Sequence, residues 1–400
     1  MITKFAYRNL LRNKKRTLIS ALSVFVAGLL VGVAYGWVNG MMDNMVESFI
    51  KYQTAHVRIT TEEYENRQKF LPVDEIIYDS ENYIDQFKKI KGVKNIEQRV
   101  RFGILLGKEE TTLQAVGMGL DINNSSFNLP GKIIEGKTQE HGIYIGHKLA
   151  SKLKIKVGDE LLLATKTSMG GLNGIKLKVA AIFKMNMTSL DSRFFFINLI
   201  DARKLLKISE GITEIYVFTE HEKMSDSISA QIKPLLGEGI VSRTYKEQMG
   251  GMYAFIGIGK MIYFIIEMAI LFLACFVIIN TMTMAIFERM REIGTMKALG
   301  FSEKELFWTF TTEGAFIGMA GGLPGALIGF GFIFVLSITG VNLEGMLSSI
   351  DMPMEYVIYP KLTVIDIFAV ISMACVVPVM ASMIPARYIR RYLPSDALRM

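Results

Sequence analysis

The sequence predicts a membrane protein with four transmembrane helices and one large α+β domain, inserted between the first and second helices. Composition is the first observation behind this fold class: half of the residues are hydrophobic and mean hydropathy is +0.32, yet 21% of residues are charged. The second is that apolar residues concentrate in four runs, each long enough to cross a hydrocarbon core of about 30 Å. The third is a long polar segment between the first two runs, which can bury a core of its own.

The chain opens with a basic segment, residues 1–16, in which Phe5, Leu10 and Leu11 lie among lysine and arginine. This mixture predicts a helix in the cytoplasmic interface, and a merely basic tail is the alternative. Residues 17–42 follow without a charge and predict transmembrane helix 1. Because this run is too long for the apolar part of a signal peptide, we expect an uncleaved anchor.

Residues 43–259 predict an extracytoplasmic α+β domain. Apolar alternation, as in 56–60, 177–183 and 214–218, is typical of strands, and amphipathic segments such as 225–236 are typical of helices. The two cysteines lie in predicted spans, so we expect no disulfide in this domain. The four histidines show no grouping typical of a metal site, and we expect no bound metal and no catalytic cluster.

The other apolar runs predict transmembrane helices 2, 3 and 4 over residues 261–287, 307–339 and 362–385. Residues 340–361 form an external loop and residues 386–400 a tail. Lysine and arginine flank the N-terminus, the 288–306 segment and the tail, whereas the external loop is acidic. We therefore expect both termini in the cytoplasm. Glycines at nearly four-residue spacing in helix 3 predict close helix packing.

The 288–306 segment between helices 2 and 3 combines both charge signs with Ile293, Met296 and Leu299. A helix of this kind can offer an apolar ridge to a soluble partner and pass a push into the helices on either side. Its pattern Glu-Arg-x-Arg-Glu-Ile-Gly-x-x-Lys-Ala-Leu-Gly resembles the cytoplasmic coupling segment of ABC-transporter permeases of the FtsX/MacB/LolC-LolE superfamily. The resemblance implies a set of ATPase-coupling residues: Glu288, Arg289, Arg291, Glu292, Ile293, Gly294, Lys297, Ala298, Leu299 and Gly300.

Two other regions carry the same resemblance. Residues 145–159 and 177–183 resemble the periplasmic core domain of MacB-type permeases, and the Pro394–Arg399 ending resembles that of the superfamily. The junction near His56 resembles that of lipoprotein-releasing permeases of the LolC/LolE type. Glu267, within an otherwise apolar span, and the Phe301-Ser302 pair depart from the family pattern.

Three carboxylates in the spans are possible intramembrane polar contacts: Glu267, Glu313 and Asp366. Because charges are costly in hydrocarbon, we expect Glu267 and Asp366 near the external interface, with proton or substrate contact as the alternative. We expect Glu313 to pair with an arginine of the 288–306 segment or of a neighbouring helix.

The resemblance implies a permease subunit in the bacterial inner membrane, which converts ATP-driven motion of a separate ATPase into extracytoplasmic conformational change. It implies a second permease chain, identical or homologous, and binding of ATP and Mg by the ATPase, with no cofactor on this chain. Within the superfamily, the resemblance to the LolC/LolE type favours lipoprotein extraction with a periplasmic carrier. We expect the cargo path to be lined by Val31, Val38, Ile262 and Ile270. The alternatives are an FtsX-like scaffold that controls a cell-wall hydrolase and MacB-like export of peptides or drugs.

One motif points elsewhere. Residues 131–138 match the phosphate-binding pattern G-x-x-x-x-G-K-T. A phosphate cradle needs a buried strand before it and a helix after it, but a polar loop precedes this segment and a strand pattern follows it. We therefore predict a loop that binds no nucleotide.

Overall fold

The computed structural model describes Arg8, Arg12 and residues 14–109, 111–350 and 354–388. Its α-helices are α1 (Lys14–Phe49), α2 (Glu62–Arg67), α3 (Ser80–Phe87), α4 (His147–Lys152), α5 (Thr188–Arg193), α6 (Leu199–Leu206), α7 (Ser225–Ile232), α8 (Tyr245–Met249), α9 (Gly251–Glu288), α10 (Met290–Ala298), α11 (Glu303–Thr339), α12 (Glu344–Leu347) and α13 (Val364–Ala386). Its strands are β1 (Val57–Thr61), β2 (Val93–Lys108), β3 (Thr111–Leu120), β4 (Ile133–Gly136), β5 (Ile143–Gly146), β6 (Glu160–Lys166), β7 (Leu172–Phe183), β8 (Phe194–Asn198), β9 (Glu214–Thr219), β10 (Ile240–Thr244), β11 (Val341–Asn342) and β12 (Val357–Ile358).

The chain divides into a helical unit and an outer unit. Described residues of 1–43, 255–341 and 358–400 form the helical unit, and residues 44–254 and 342–357 form the outer unit. The predicted interfacial helix of residues 1–16 and the tail beyond residue 388 lie largely outside the described residues.

Four helices in the described part of the chain are long and apolar enough to cross a membrane: α1, α9, α11 and α13. Helices α1 and α9 run antiparallel. Toward one end, the Ser20 hydroxyl donates a hydrogen bond to the Thr281 hydroxyl at 3.0 Å, and toward the other end the Lys260 ammonium lies 3.5 Å from the Asp43 carboxylate. Both helices continue beyond the predicted spans, since α1 reaches Phe49 and α9 begins at Gly251. The chain thus leaves and re-enters the bilayer through helical extensions.

Helix α11 packs closely against two neighbours through glycine. A side chain at Gly325 would overlap the carbonyl oxygen of Phe25 in α1, and one at Gly314 would overlap Ser382 in α13. Four more glycines of α11 divide in the same way, with Gly321 and Gly329 facing α1, and Gly318 and Gly322 facing α13, whereas Gly331 has open space around it. The predicted close packing is confirmed, and it involves two faces of one helix.

The outer unit is built on a ten-stranded sheet of order β10-β1-β9-β2-β3-β8-β5-β7-β4, and β6 pairs with β2 and β7. Strand β2 joins the two parts of this sheet: its first half pairs with β9, and its second half pairs with β3 and β6. The β3–β8 and β5–β7 pairs are parallel. An α+β fold for this unit agrees with the prediction.

Buried ion pairs lie within the sheet. Arg58 is fully buried and its guanidinium lies 3.4 Å from the Glu214 carboxylate and 2.8 Å from that of Glu65. Arg99 is also buried and lies 2.7 Å from Glu97. Charges at buried strand positions tolerate desolvation only when paired. Strand β2 therefore does not show the simple alternation of apolar and polar residues.

The phosphate-motif segment is not the loop that the sequence predicts. Residues Ile133–Gly136 form β4, which pairs antiparallel with β7, and Gly136 takes a left-handed backbone at φ +89°. Strand β5, not a helix, is the next regular element after the motif. A phosphate would meet no helix N-terminus here, so the geometry does not form a nucleotide cradle.

Candidate functional site

The coupling segment is a short helix set between two turns. Helix α9 stops at Glu288 because Arg289 leaves the helical region (φ −108°, ψ 16°), and α10 starts one residue later. Gly300 then takes a left-handed backbone at φ +95°, which glycine adopts without strain. Helix α11 begins with a capping box in which the Ser302 hydroxyl accepts from the Glu305 amide. These signals define α10 as a separate element.

The inner face of α10 packs on the protein's own helices. Ile293 is 2% exposed and shares an apolar cluster with Met290, Leu306 and Phe310. Gly294 is also buried. Ile293 and Gly294 therefore do not face outward, because α11 and its neighbours cover that side of α10, and their part in ATPase coupling stays a prediction. Both residues anchor α10 to the helical unit.

The outer face of α10 is available to a partner. Leu299, at the end of α10, is 75% exposed. The other exposed residues of the predicted set are Glu288, Arg291, Glu292, Ala298 and Gly300. Lys297 is nearly covered and lies 3.8 Å from Glu303. An exposed leucine and exposed charges of both signs on one short helix can dock in a groove and select its orientation.

A buried ion pair anchors the start of the segment. The guanidinium of Arg289 lies 3.3 Å from the Glu313 carboxylate of α11, and both side chains are 4% exposed. The expected pairing of Glu313 with an arginine is confirmed. Arg289 thus binds α11 through a buried contact, and its part in ATPase coupling stays a prediction.

A second set of ion pairs joins the end of α9 and the start of α10 to the beginning of the chain. Arg16 of α1 lies 2.7 Å from Glu288 of α9, and Arg12 lies 2.7 Å from Glu292 of α10. The two glutamates stand on either side of the Arg289 break, so the two contacts form a ladder across it. Sequence reasoning missed this ladder, because local patterns carry no signal of pairing across such a long separation.

The intramembrane carboxylates differ in environment. Asp366 lies in the first turn of α13 and completes a capping box with Thr363, whose amide donates to it at 2.8 Å. Glu267 is 5% exposed and follows the start of α9 by about four turns. Because α9 begins ten residues before the predicted span, the placement of Glu267 near the external interface stays a prediction. No side-chain hydrogen bond joins Glu267 to another described residue.

Across the described ranges, no cluster of three or more histidine, cysteine or acidic side chains could hold a metal.

The predicted cargo path is closed in this structure. Val31 and Val38 are 2% and 5% exposed, and Val31 shares a cluster with Leu271 of α9, against which Ile270 is partly buried. Ile262 is 50% exposed. The α1–α9 interface is therefore packed near Val31 and open to the surroundings near Ile262.

The outer unit carries a groove of about 870 Å³ between β2, β3, β6 and the turn at Gln68–Phe70. Its wall includes apolar side chains such as Ile104 and Leu113. Basic residues line it as well, namely Lys69, Lys152, Lys166 and Arg193, and none of the described lining residues is acidic. Phe70 at its edge is 85% exposed. The sequence analysis missed this groove, because its residues come from seven separate stretches of the chain.

Comparison with known proteins places these features in context. The model of the MacB-like periplasmic core domain matches residues 17–235, and that of the FtsX-like permease C-terminal region matches residues 264–394. Lipoprotein-releasing system transmembrane protein LolC of Xylella fastidiosa is 20% identical over 400 residues, covering 95% of this chain and 91% of LolC. An ABC transporter permease of Methanocaldococcus jannaschii is 24% identical over 365 residues, or 82% of each chain. The periplasmic region of MacB from Actinobacillus actinomycetemcomitans is 9% identical with a TM-score of 0.36, covering 51% of this chain and 95% of that structure.

Proposed function

Since the chain belongs to the FtsX/MacB/LolC family of ABC transporter permeases, we propose that it extracts lipoproteins from the inner membrane, driven by a separate ATPase. Family membership indicates a multi-pass inner-membrane subunit without enzymatic activity of its own, and it implies an ATPase partner and a second permease subunit. Relatives named LolC support the proposal of a lipoprotein cargo, and the basic flanks support the proposal that both termini lie in the cytoplasm.

The observation that carries the proposal is the geometry of α10. Its apolar inner face and the Arg289–Glu313 pair hold it to α11, while Leu299 projects outward. A force on Leu299 therefore acts on α9 and α11 through a rigid, short element instead of bending a loop. ATP and Mg bind the partner ATPase in this scheme, and closure of its two domains supplies the force.

The cargo enters from the membrane. Acyl chains leave the bilayer sideways between α1 and α9, starting near the exposed Ile262 and passing Val31, Val38 and Ile270 once that interface opens. The protein part of the lipoprotein passes to a soluble carrier at the outer unit. The basic groove of β2, β3 and β6 supports docking of a carrier with an acidic face.

The test combines coupling and cargo. Leu299→Asp places an unpaired charge in the ATPase contact, at a cost on the order of 3 kcal/mol or more, so ATPase binding weakens about 100-fold or more. Leu235→Asp is the control, since Leu235 is 39% exposed on the outer unit.

Photo-crosslinkers at Ile262 and Ile270 capture acylated lipoproteins, and Leu299→Asp leaves them trapped there. A crosslinker at Phe334, 65% exposed on α11, captures far less.

Two results contradict the proposal. Capture of a cell-wall hydrolase by the outer unit, with no acylated species at α1 or α9, favours the scaffold function. Capture of peptides or drugs in place of lipoproteins favours export.

A further inference from the structure

The segment that connects α11 to α13 belongs to the outer unit and not to the helices on either side of it. Residues 342–357 lie in that unit, although residues 341 and 358 lie in the helical unit. The segment begins with α12 and returns through β12, which pairs with β11. Its contacts with the outer unit occur in three places, and each uses side chains with directional hydrogen bonds.

The first contact is Tyr356, which is 1% exposed. Its hydroxyl lies 2.9 Å from the Lys148 ammonium and 2.8 Å from the Thr188 hydroxyl. Its backbone amide donates to the Asn186 carbonyl at 2.8 Å. Lys148 also donates to the Ser348 carbonyl at 3.2 Å, so one ammonium holds both limbs of the segment. This contact lies at α4 and α5, beside β5 and β8 of the sheet.

The second contact is Glu355, which binds the extension of α1. Its carboxylate accepts from the Tyr52 hydroxyl at 2.7 Å and from the Lys51 ammonium at 3.3 Å. Its backbone amide donates to the Asn44 side chain at 3.2 Å. The Tyr52 ring is 2% exposed and packs against Phe127 of the outer unit, with 5.7 Å between ring centroids. Glu355 therefore holds a residue that is itself part of the outer core.

The third contact is Glu344 at the start of α12. The Lys184 ammonium lies 2.7 Å from its carboxylate. The hydrogen bond from Lys184 holds the pKa of Glu344 below its usual value, so this contact is charged at neutral pH.

The main chain is strained just after α1, where it enters the outer unit. Lys51 and Tyr52 lie on a π-helical turn, Ile50–Thr54, which ends where the Ala55 amide donates to the Ile50 carbonyl at 2.8 Å. Ala55 is fully buried and has φ +54° and ψ −171°, a region that L-residues rarely occupy. A strained turn persists only where its surroundings hold it, and Glu355 is one of the groups that bind this turn.

On the basis of the proposed ATP-driven function, we infer that residues 342–350 and 354–357 form a strap that transmits movement of α11 and α13 to the outer unit. It pulls at α4 and α5 through Tyr356 and at the α1 turn through Glu355. The outer unit is thus driven by three connections, α1, α9 and the strap, and the strap stays bound throughout the cycle.

The test releases the strap in the full chain in complex with its ATPase. Tyr356→Phe removes the hydroxyl and keeps the ring, Glu355→Gln removes the charge, and Lys184→Ala removes the third contact. Each lost hydrogen bond raises hydrogen–deuterium exchange of peptides in 343–350 about fivefold. Tyr359→Phe is the matched control, because Tyr359 lies just beyond the strap and is 46% exposed.

The decisive readout is the change in exchange at α4 and α5 when ATP is added, which requires no cargo. We expect wild type and Tyr359→Phe to show this change and the triple variant to lose it while still binding the ATPase. Persistence of the change in the triple variant overturns the inference, and so does unaltered exchange of 343–350, since the three contacts would then not hold the strap.

A thiol crosslink between Lys184→Cys and Glu344→Cys should leave the ATP-dependent change in exchange intact. If the crosslink abolishes that change, the strap is not permanently bound. Failure of wild type to move lipoproteins would reject the cargo and leave this result standing.

Discussion

The Arg289 guanidinium and the Glu313 carboxylate face each other 3.3 Å apart with both side chains 4% exposed, at the point where α9 gives way to α10. Removing one partner leaves a buried charge unpaired, so Arg289→Ala should destabilise the chain by about 3–5 kcal/mol. Replacing both with leucine should cost much less. Thermal unfolding in detergent measures the difference, and the exposed Arg291→Ala is the control. Equal losses for the single and double variants would show that the pair itself does not matter.

Gly325 offers a test of the α1–α11 contact. Gly325→Ala places a methyl group against the Phe25 carbonyl oxygen, a backbone atom that cannot move aside cheaply, and overpacking of this kind costs about 1–3 kcal/mol. Gly331→Ala lies on the same helix with open space around it and should be neutral or slightly stabilising. Melting temperatures of the two variants in detergent should therefore shift in opposite directions, or only the first should shift. Equal behaviour would contradict the packing described here.

His56 makes the outer unit sensitive to acid. Burial, together with the charge of Lys94, lowers the pKa of His56 to about 4, and its Nδ1 accepts a hydrogen bond from the Thr219 amide at 3.1 Å. The unfolded chain takes up the proton near pH 6.5 and the folded chain only near pH 4, so stability is full above pH 6.5 and falls as the pH drops between these values. The loss is at most about 1 kcal/mol per pH unit, because His56 is partly exposed.

The measurement for His56 is hydrogen–deuterium exchange of β9, corrected for intrinsic rates, between pH 7 and pH 4.5. His56→Gln should flatten the dependence. A slope that persists in this variant would assign the acid response to another group.

The proposed topology is tested by labelling. Single cysteines at Lys297 and Lys152, in a background without Cys275 and Cys375, should react from opposite faces of intact inner membrane. Lys152 is exposed, whereas Lys297 is nearly covered beside Glu303, so a cysteine at the exposed Lys304 repeats the measurement on the α10 side. Labelling of both from one face would end the model in which α10 meets a cytoplasmic ATPase.

The sequence predicts the parts of this fold that rest on local periodicity. The four apolar helices, the glycine packing of α11 and the pairing of Glu313 all follow from composition and spacing. Strand β2 does not, because Glu97 and Arg99 occupy buried positions and hide its alternation. Ile293 shows a second limit: periodicity identifies the apolar face of α10 but not whether the chain itself covers that face.

The ladder has one rung on each side of the Arg289 break, because Glu288 ends α9 and Glu292 lies in α10. Each rung is a solvent-exposed ion pair worth about 0–1 kcal/mol, and salt weakens it further. The Arg289–Glu313 pair between the rungs is buried and costs far more to separate. An outward movement of α10 therefore costs little at the N-terminal segment, and the buried pair sets the point about which α10 would turn.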